Sequence, residues 1–139
     1  MRTDGLREWT VGMSERINSF RDLRVYLKAC ELDLAVFLLT KGFPRDEQYS
    51  LTDQVRRSSR SIGANIAEAW AKRRYPAHFV SKLTDSDGEL QETRHWLGRA
   101  LAYGYLTEQT LRVFEERCDR VRAMLGKMIQ NPERFTSDG

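Results

Sequence analysis

The sequence predicts an all-α protein, an antiparallel up-down-up-down four-helix bundle. Three observations carry this. Apolar residues recur at alternating intervals of three and four in four separate stretches. Residues that start and stop helices stand between those stretches, and no stretch shows the period-two alternation of a half-buried strand. A chain of 139 residues with 40% hydrophobic residues and only 3 prolines is long enough for one packed core.

Helix 1 is expected from Ser19, because Ser19-Phe20-Arg21-Asp22 reads as a capping box. Phe20, Leu23, Leu27, Cys30, Leu34 and Phe37 then form its predicted core stripe, Gly42 stops it and Pro44 prevents its resumption. Helix 2 follows a second capping-box pattern, Ser50-Leu51-Thr52-Asp53, and runs to about Arg74. Pro76 fits the first turn of helix 3, where its missing N–H costs little. Phe79, Leu83, Leu90, Leu97 and Leu101 mark that helix, and Gly104 ends it. Thr107 with Glu108 caps helix 4, whose seam is Leu111, Phe114, Cys118, Val121, Leu125 and Met128, and Pro132 closes it. Helices of about 23 to 28 residues, roughly 35–40 Å long at 1.5 Å per residue, pack most simply as such a bundle when their connections are short. A two-hairpin solenoid is the other topology, but there is no internal repeat to support it. The expected organisation is a loose arm over residues 1–18, the bundle over 19–131 and a tail over 132–139, with Met13 an alternative start.

Helix 2 has three faces rather than two. Leu51, Val55, Ser58, Ile62, Ile66 and Ala69 form the core stripe. Beside it runs a polar stripe, Gln54, Arg57, Ser61, Asn65 and Glu68. That stripe reads either as a solvated face with i,i+4 pairs or as a buried hydrogen-bond network in which Glu92 of helix 3 partners Arg57 and fixes register. The third arc holds Gly63, Ala64, Ala67 and Ala71 with Arg56 and Arg60. Small residues permit close backbone approach, so this arc predicts contact with another helix, a second subunit being the candidate.

At these residues the sequence resembles a known family. Ser61-Ile62-Gly63-Ala64-Asn65-Ile66-Ala67-Glu68 is similar to the "S-(V/I)-x-x-N-I-A-E-G" signature of the four-helix-bundle proteins related to the 23S rRNA intervening-sequence protein. The approach also fits: Phe43-Pro44, Glu47, Tyr49, Leu51-Thr52 and Gln54-Val55-Arg56-Arg57-Ser58-Ser59. So do Gly88-Glu89-Leu90-Gln91-Glu92, like the family's "G-S-x-x-E", and Gly104-Tyr105-Leu106 before helix 4. The likeness covers about Ile17 to Ile129, with Ala69 where the family usually has glycine and Glu89 where it usually has serine. The resemblance implies a bundle that assembles into a ring-like homopentamer and a family not known for catalysis. Its members are encoded in ribosomal RNA intervening sequences or stand alone in bacterial genomes. Similar proteins are accessory subunits of diversity-generating retroelements, binding RNA and a reverse transcriptase.

Several function classes find little support. Glu92-Thr93-Arg94-His95 is a Glu-x-x-His, half of a di-iron signature, but the only other histidine, His78, follows Tyr75 rather than a glutamate. No nucleophile elbow or phosphate-cradling glycine loop is present, since Gly88 and Gly98 lie singly within a helix. Glu68 and Glu92 form a conceivable acid/base pair, yet each has a candidate arginine partner. No catalytic residues, metal or cofactor are therefore expected. Cys30 and Cys118 sit far apart in apolar patterns, which reads as two buried free thiols in a reducing cytoplasm. No signal peptide or membrane span is predicted, so no membrane partner is expected.

Nucleic acid remains a candidate partner. The net charge is only +3 and the pI about 9.0, which permits polyanion contact without demanding it. Arg56, Arg57 and Arg60 lie on helix 2, and Lys72-Arg73-Arg74 at its end complement the helix dipole. Tyr75 beside them is available for stacking, so Arg56, Arg60, Lys72, Arg73, Arg74 and Tyr75 are the candidate nucleic-acid contacts. On helix 4, Glu115, Glu116 and Asp119 interleave with the basic residues, which reads as an ordinary solvated face. Five copies would carry roughly +15, and repeated basic patches gain by avidity. The expectation is a homo-oligomeric, pentameric accessory protein that binds RNA or a nucleic-acid-processing protein. The rival is a structural or protein-binding assembly module with no nucleic-acid contact.

Overall fold

A computed structural model describes residues 17–136, and every regular element among them is helical. Four long helices, α1 (Arg24–Thr40), α2 (Leu51–Ala71), α3 (Pro76–Ala102) and α4 (Glu108–Gln130), are followed by a single turn, α5 (Glu133–Thr136). Consecutive long helices pack together and α1 also packs on α4, which closes the bundle. Cross-contacts run in opposite directions along each pair. Ser58 meets Thr93 while Ile62 meets Ser86 further back, and Arg94 meets Glu115 while Asp87 meets Arg122.

The predicted core stripes of α2, α3 and α4 are largely the observed ones. Leu51, Val55, Ser58, Ile62, Ile66 and Ala69 are all buried, as are Phe79, Leu83, Leu90, Leu97, Phe114, Cys118, Val121, Leu125 and Met128. The α2–α3 contact is the most extensive in the bundle and is made with small polar residues. The hydroxyls of Ser58 and Thr93 lie 2.8 Å apart, and the Ser86 hydroxyl donates to the Ile62 carbonyl oxygen at 2.8 Å. Pro76 sits in the first turn of α3, Gly104 after α3 adopts φ +84°, and the Thr107 hydroxyl accepts from the Thr110 N–H.

Helix 1 departs from its expected phase. The Ser19 capping box forms, with Asp22 reaching back to the Ser19 N–H, but it caps only a 3-10 turn over Phe20–Asp22. Leu23 is extended, so α1 starts at Arg24 and has 17 residues. Its buried stripe is Val25, Ala29, Leu32, Val36 and Thr40. Of the expected stripe, Leu27 and Leu34 are 42% and 56% exposed instead. Both stripes have helical spacing, and only packing selects between them. Tyr26 then lies over Gly63 of α2, its ring 3.5 Å from where a Cβ would stand. Part of the small-residue arc is therefore covered within the chain rather than by another copy.

Two other boundaries move. The expected Ser50 box does not form, because Glu47 caps α2 from outside, accepting from the Ser50 hydroxyl at 2.7 Å and the Leu51 N–H at 3.2 Å. The folded part also runs past 131, since α5 buries Phe135 against Phe79, with ring centroids 6.3 Å apart. The expected arm lies almost wholly outside the described residues, whereas Ile17 packs on the core. No helix among the described residues is long and apolar enough to cross a membrane.

Candidate functional site

The polar stripe of α2 follows from helical spacing that places it along the edge facing α3. Arg57 Nη2 stands 3.6 Å from Glu92 Oε2, the expected pairing, and also donates to Gln54 Oε1 at 3.2 Å. The Trp96 indole N–H donates to the same Glu92 oxygen at 3.0 Å. Glu68 is paired by Lys82 rather than by an arginine, at 2.6 Å, and Lys82 also reaches Asp85 at 3.6 Å. The Lys82 hydrogen bond and charge hold the Glu68 carboxyl below its usual range. Among the described residues, Ser61 and Asn65 bond only to carbonyls of their own helix. Their side chains are short enough to satisfy local backbone acceptors, so they divide the stripe into two clamps instead of bridging it. Solvent screens partly exposed pairs of this kind, so they add little to stability and their main effect is on register.

Glu89 is the strained member of this surface. Its Oε1 is buried without a hydrogen-bond partner among the described residues. Burial, then the neighbouring Glu92 carboxylate, pushes its carboxyl up, opposed by Arg57.

Charged residues of α4 that read as a solvated face also act between helices. Arg94 of α3 reaches Glu115 at 2.6 Å and Asp119 at 3.0 Å, and Arg122 approaches Asp87 at 3.7 Å. Glu92 is already held by Arg57 and Trp96, while His95 is exposed with its ring against Trp96. Among the described residues no group of three or more His, Cys, Asp or Glu is arranged to hold a metal ion. Cys118 is buried and Cys30 only half-buried, both free, and burial pushes the Cys118 thiol up to about 12.

The candidate nucleic-acid residues do not share one surface. Arg56 turns inward: its Nε donates to the Thr40 hydroxyl at 2.7 Å, and its guanidinium lies 4.8 Å from the centre of the Phe37 ring. Arg73 folds onto Trp70, 4.1 Å from the ring centre, and donates to the Trp70 carbonyl at 2.9 Å. Arg60 is exposed and eases the desolvated Asp33 of α1, whose carboxyl burial pushes up. Lys72, Arg74 and Tyr75 are exposed together at the α2–α3 turn, with His78 of α3, weighed in the sequence only as a metal ligand, as a neighbour. The Tyr75 ring is 60% exposed and lies 5.7 Å from that of His78.

The opposite end of the bundle carries a feature that sequence reading missed. Tyr49, Trp96, Tyr103 and Tyr105 line an open groove of about 710 Å³ with Glu47 and Gln54. The signal was distributed over three segments, and only the fold joins them. Glu47 latches the groove, accepting from the Tyr105 hydroxyl at 2.7 Å as well as from Ser50 and Leu51. These bonds, that from Tyr105 first, hold its carboxyl below the ordinary glutamate value of 4.5. A lowered folded-state value means the latch stabilises the fold above 4.5, and that contribution is lost as pH falls through the folded value. Between pH 6 and 3 the melting temperature of the wild type should therefore fall more than that of Glu47→Gln. Parallel curves would remove the latch.

A small all-helical bundle with internally clamped polar edges carries a basic turn at one end and an aromatic groove at the other. The chain belongs to the 23S rRNA-intervening sequence protein family, whose model matches residues 21–127. It is also similar to a protein of unknown function from the S23 ribosomal protein family of Bacteroides thetaiotaomicron, known from a crystal structure at 1.70 Å resolution. The two are 27% identical with a TM-score of 0.69, over 76% of this chain and 95% of the other. No curated protein matches the chain.

Proposed function

We propose that this chain is a non-catalytic, homo-oligomeric accessory protein of the cytoplasm that binds RNA through the basic turn between α2 and α3. The observation that carries the reading is an exposed aromatic ring beside exposed cations, whereas the exposed Arg112, Arg117 and Arg120 of α4 interleave with Glu116 and Asp119. Arg56, Arg57, Arg73, Arg94 and Arg122 are engaged by groups of the bundle. Lys72 and Arg74 stand exposed beside Tyr75 and His78, and among the described residues the Lys72 side chain acts only through its charge on Glu68. Cations next to an exposed aromatic ring suit a phosphate backbone and a stacked base. A ring of copies, five on the family resemblance, repeats the patch and raises affinity by avidity. The family's tie to ribosomal RNA intervening sequences supports RNA as the polyanion.

The test is fluorescence anisotropy with a single-stranded RNA across a salt series, on the wild type and on Lys72→Glu/Arg74→Glu. The wild type should bind with affinity that falls steeply with salt. The double variant should bind about tenfold or more weakly, with a shallower slope. A wild type indifferent to RNA overturns the reading in favour of a structural or protein-binding assembly module.

A further inference from the structure

The phase that packing selects for α1 leaves its largest side chains outside. Leu27, Leu34 and Leu38 are 42%, 56% and 56% exposed. With Glu31 they occupy positions spaced four, three and four along the helix, an arc of about 60° at 100° per residue. The arc lies opposite the buried Val25, Ala29, Leu32 and Val36. On the neighbouring α2, Arg60, Ala64, Ala67 and Ala71 repeat the same four-three-four spacing, again opposite the core. Ala64 and Ala71 are exposed and Ala67 half-buried, while Gly63 beside them is already covered by Tyr26.

The two stripes are complementary in shape and charge. One carries three leucine knobs and a carboxylate. The other carries three methyl groups, which leave a shallow groove, and a guanidinium. Large side chains on one helix and small ones on its partner allow close interhelical packing. Pairing the leucine stripe with a copy of itself would set Glu31 against leucine with no cation supplied by the partner. Lys28, 3.5 Å away on the same helix, is the only intrachain partner seen for Glu31 among the described residues. Pairing with the alanine stripe brings Arg60, whose charge also eases Asp33 in its own chain, to that carboxylate instead.

We infer that the leucine stripe of α1 in one copy seats on the alanine stripe of α2 in the next. This rests on the assembly reading above and assigns its two surfaces. The patches lie on neighbouring helices, so a contact made once per copy runs head-to-tail and closes into a ring when the rotation between copies permits, whereas one exchanged reciprocally gives a two-fold dimer.

The experiment uses the full chain and two variants, Leu34→Asp and Ala64→Arg, both at exposed positions. Circular dichroism and melting check that each variant keeps its fold, and native mass is read by light scattering. Each variant alone should run at the monomer mass of 16.2 kDa. Mixed, they should form a species of twice that mass and nothing larger. The first variant retains the alanine stripe and the second the leucine stripe, so exactly the two intact surfaces meet once. An oligomeric wild type whose variants keep its mass overturns this inference and leaves assembly standing through another face; a foreign protein or a lipid surface as the occupant gives the same result. An Ala64→Arg protein that still self-associates, with nothing gained on mixing, means leucine stripe on leucine stripe and also overturns it. A monomeric wild type overturns the assembly reading itself.

Discussion

Replacing Phe79 with alanine should lower the unfolding free energy by about 3–5 kcal/mol, the largest single-site loss expected in this chain. Phe79 is 0% exposed at the start of α3 and stacks on Phe135 of α5. Truncation therefore does two things. It opens a cavity that rigid helix backbones cannot fully close, and it removes the surface on which the last turn docks. For a domain of this size the loss corresponds to a fall of roughly 10–20 °C in melting temperature. Urea unfolding followed by circular dichroism gives the value directly. A cost under about 1 kcal/mol would mean that the end of the bundle repacks around the gap.

Ser86→Leu should be the second large effect, for the opposite reason. Ser86 is 0% exposed, and its hydroxyl reaches the Ile62 carbonyl at 2.8 Å across the most extensive contact in the bundle. A leucine there forces α2 and α3 apart or into strained rotamers, at a cost of about 1–3 kcal/mol. Ser86→Ala keeps the spacing and loses only the hydrogen bond, a cost of about 1 kcal/mol. The same urea series separates the two variants. If alanine costs as much as leucine, the hydrogen bond matters more than the close approach.

This pairing of small hydroxyl residues was only half legible. Ser58 fell on the core stripe of α2 by spacing alone, and its burial follows from that. That Thr93 and Ser86 stand opposite α2 required the register of two helices. The Arg57–Glu92 pair could be anticipated because each residue lies on the edge of its own stripe, and opposite charges on facing edges have few other partners. Glu68 defeated the same reasoning, since Lys82 rather than an arginine lay within reach. Among the cations, Arg56 and Arg74 look alike in sequence. Only the fold brings Thr40 and Phe37 to Arg56 and leaves Arg74 in solvent.

The existence, type and order of the four long helices were determined by the sequence alone, because spacing, caps and stops act within a few residues of one another, whereas the turn α5 was not anticipated. The buried faces of α2, α3 and α4 were determined there too, since each has a dominant apolar stripe. Helix α1 has two, and periodicity reports a period without choosing a phase. The tertiary structure chose. It buried Val25, Ala29, Leu32 and Val36, placed Tyr26 over Gly63, and left Leu27, Leu34 and Leu38 facing outward. It likewise assigned the cap of α2 to Glu47, which the Tyr105 hydroxyl holds from a segment far along the chain. The physical reason is the same in both cases. Burial and hydrogen bonding between distant segments depend on the volume and polar groups that neighbouring helices present, and neither is written in the local spacing of one helix.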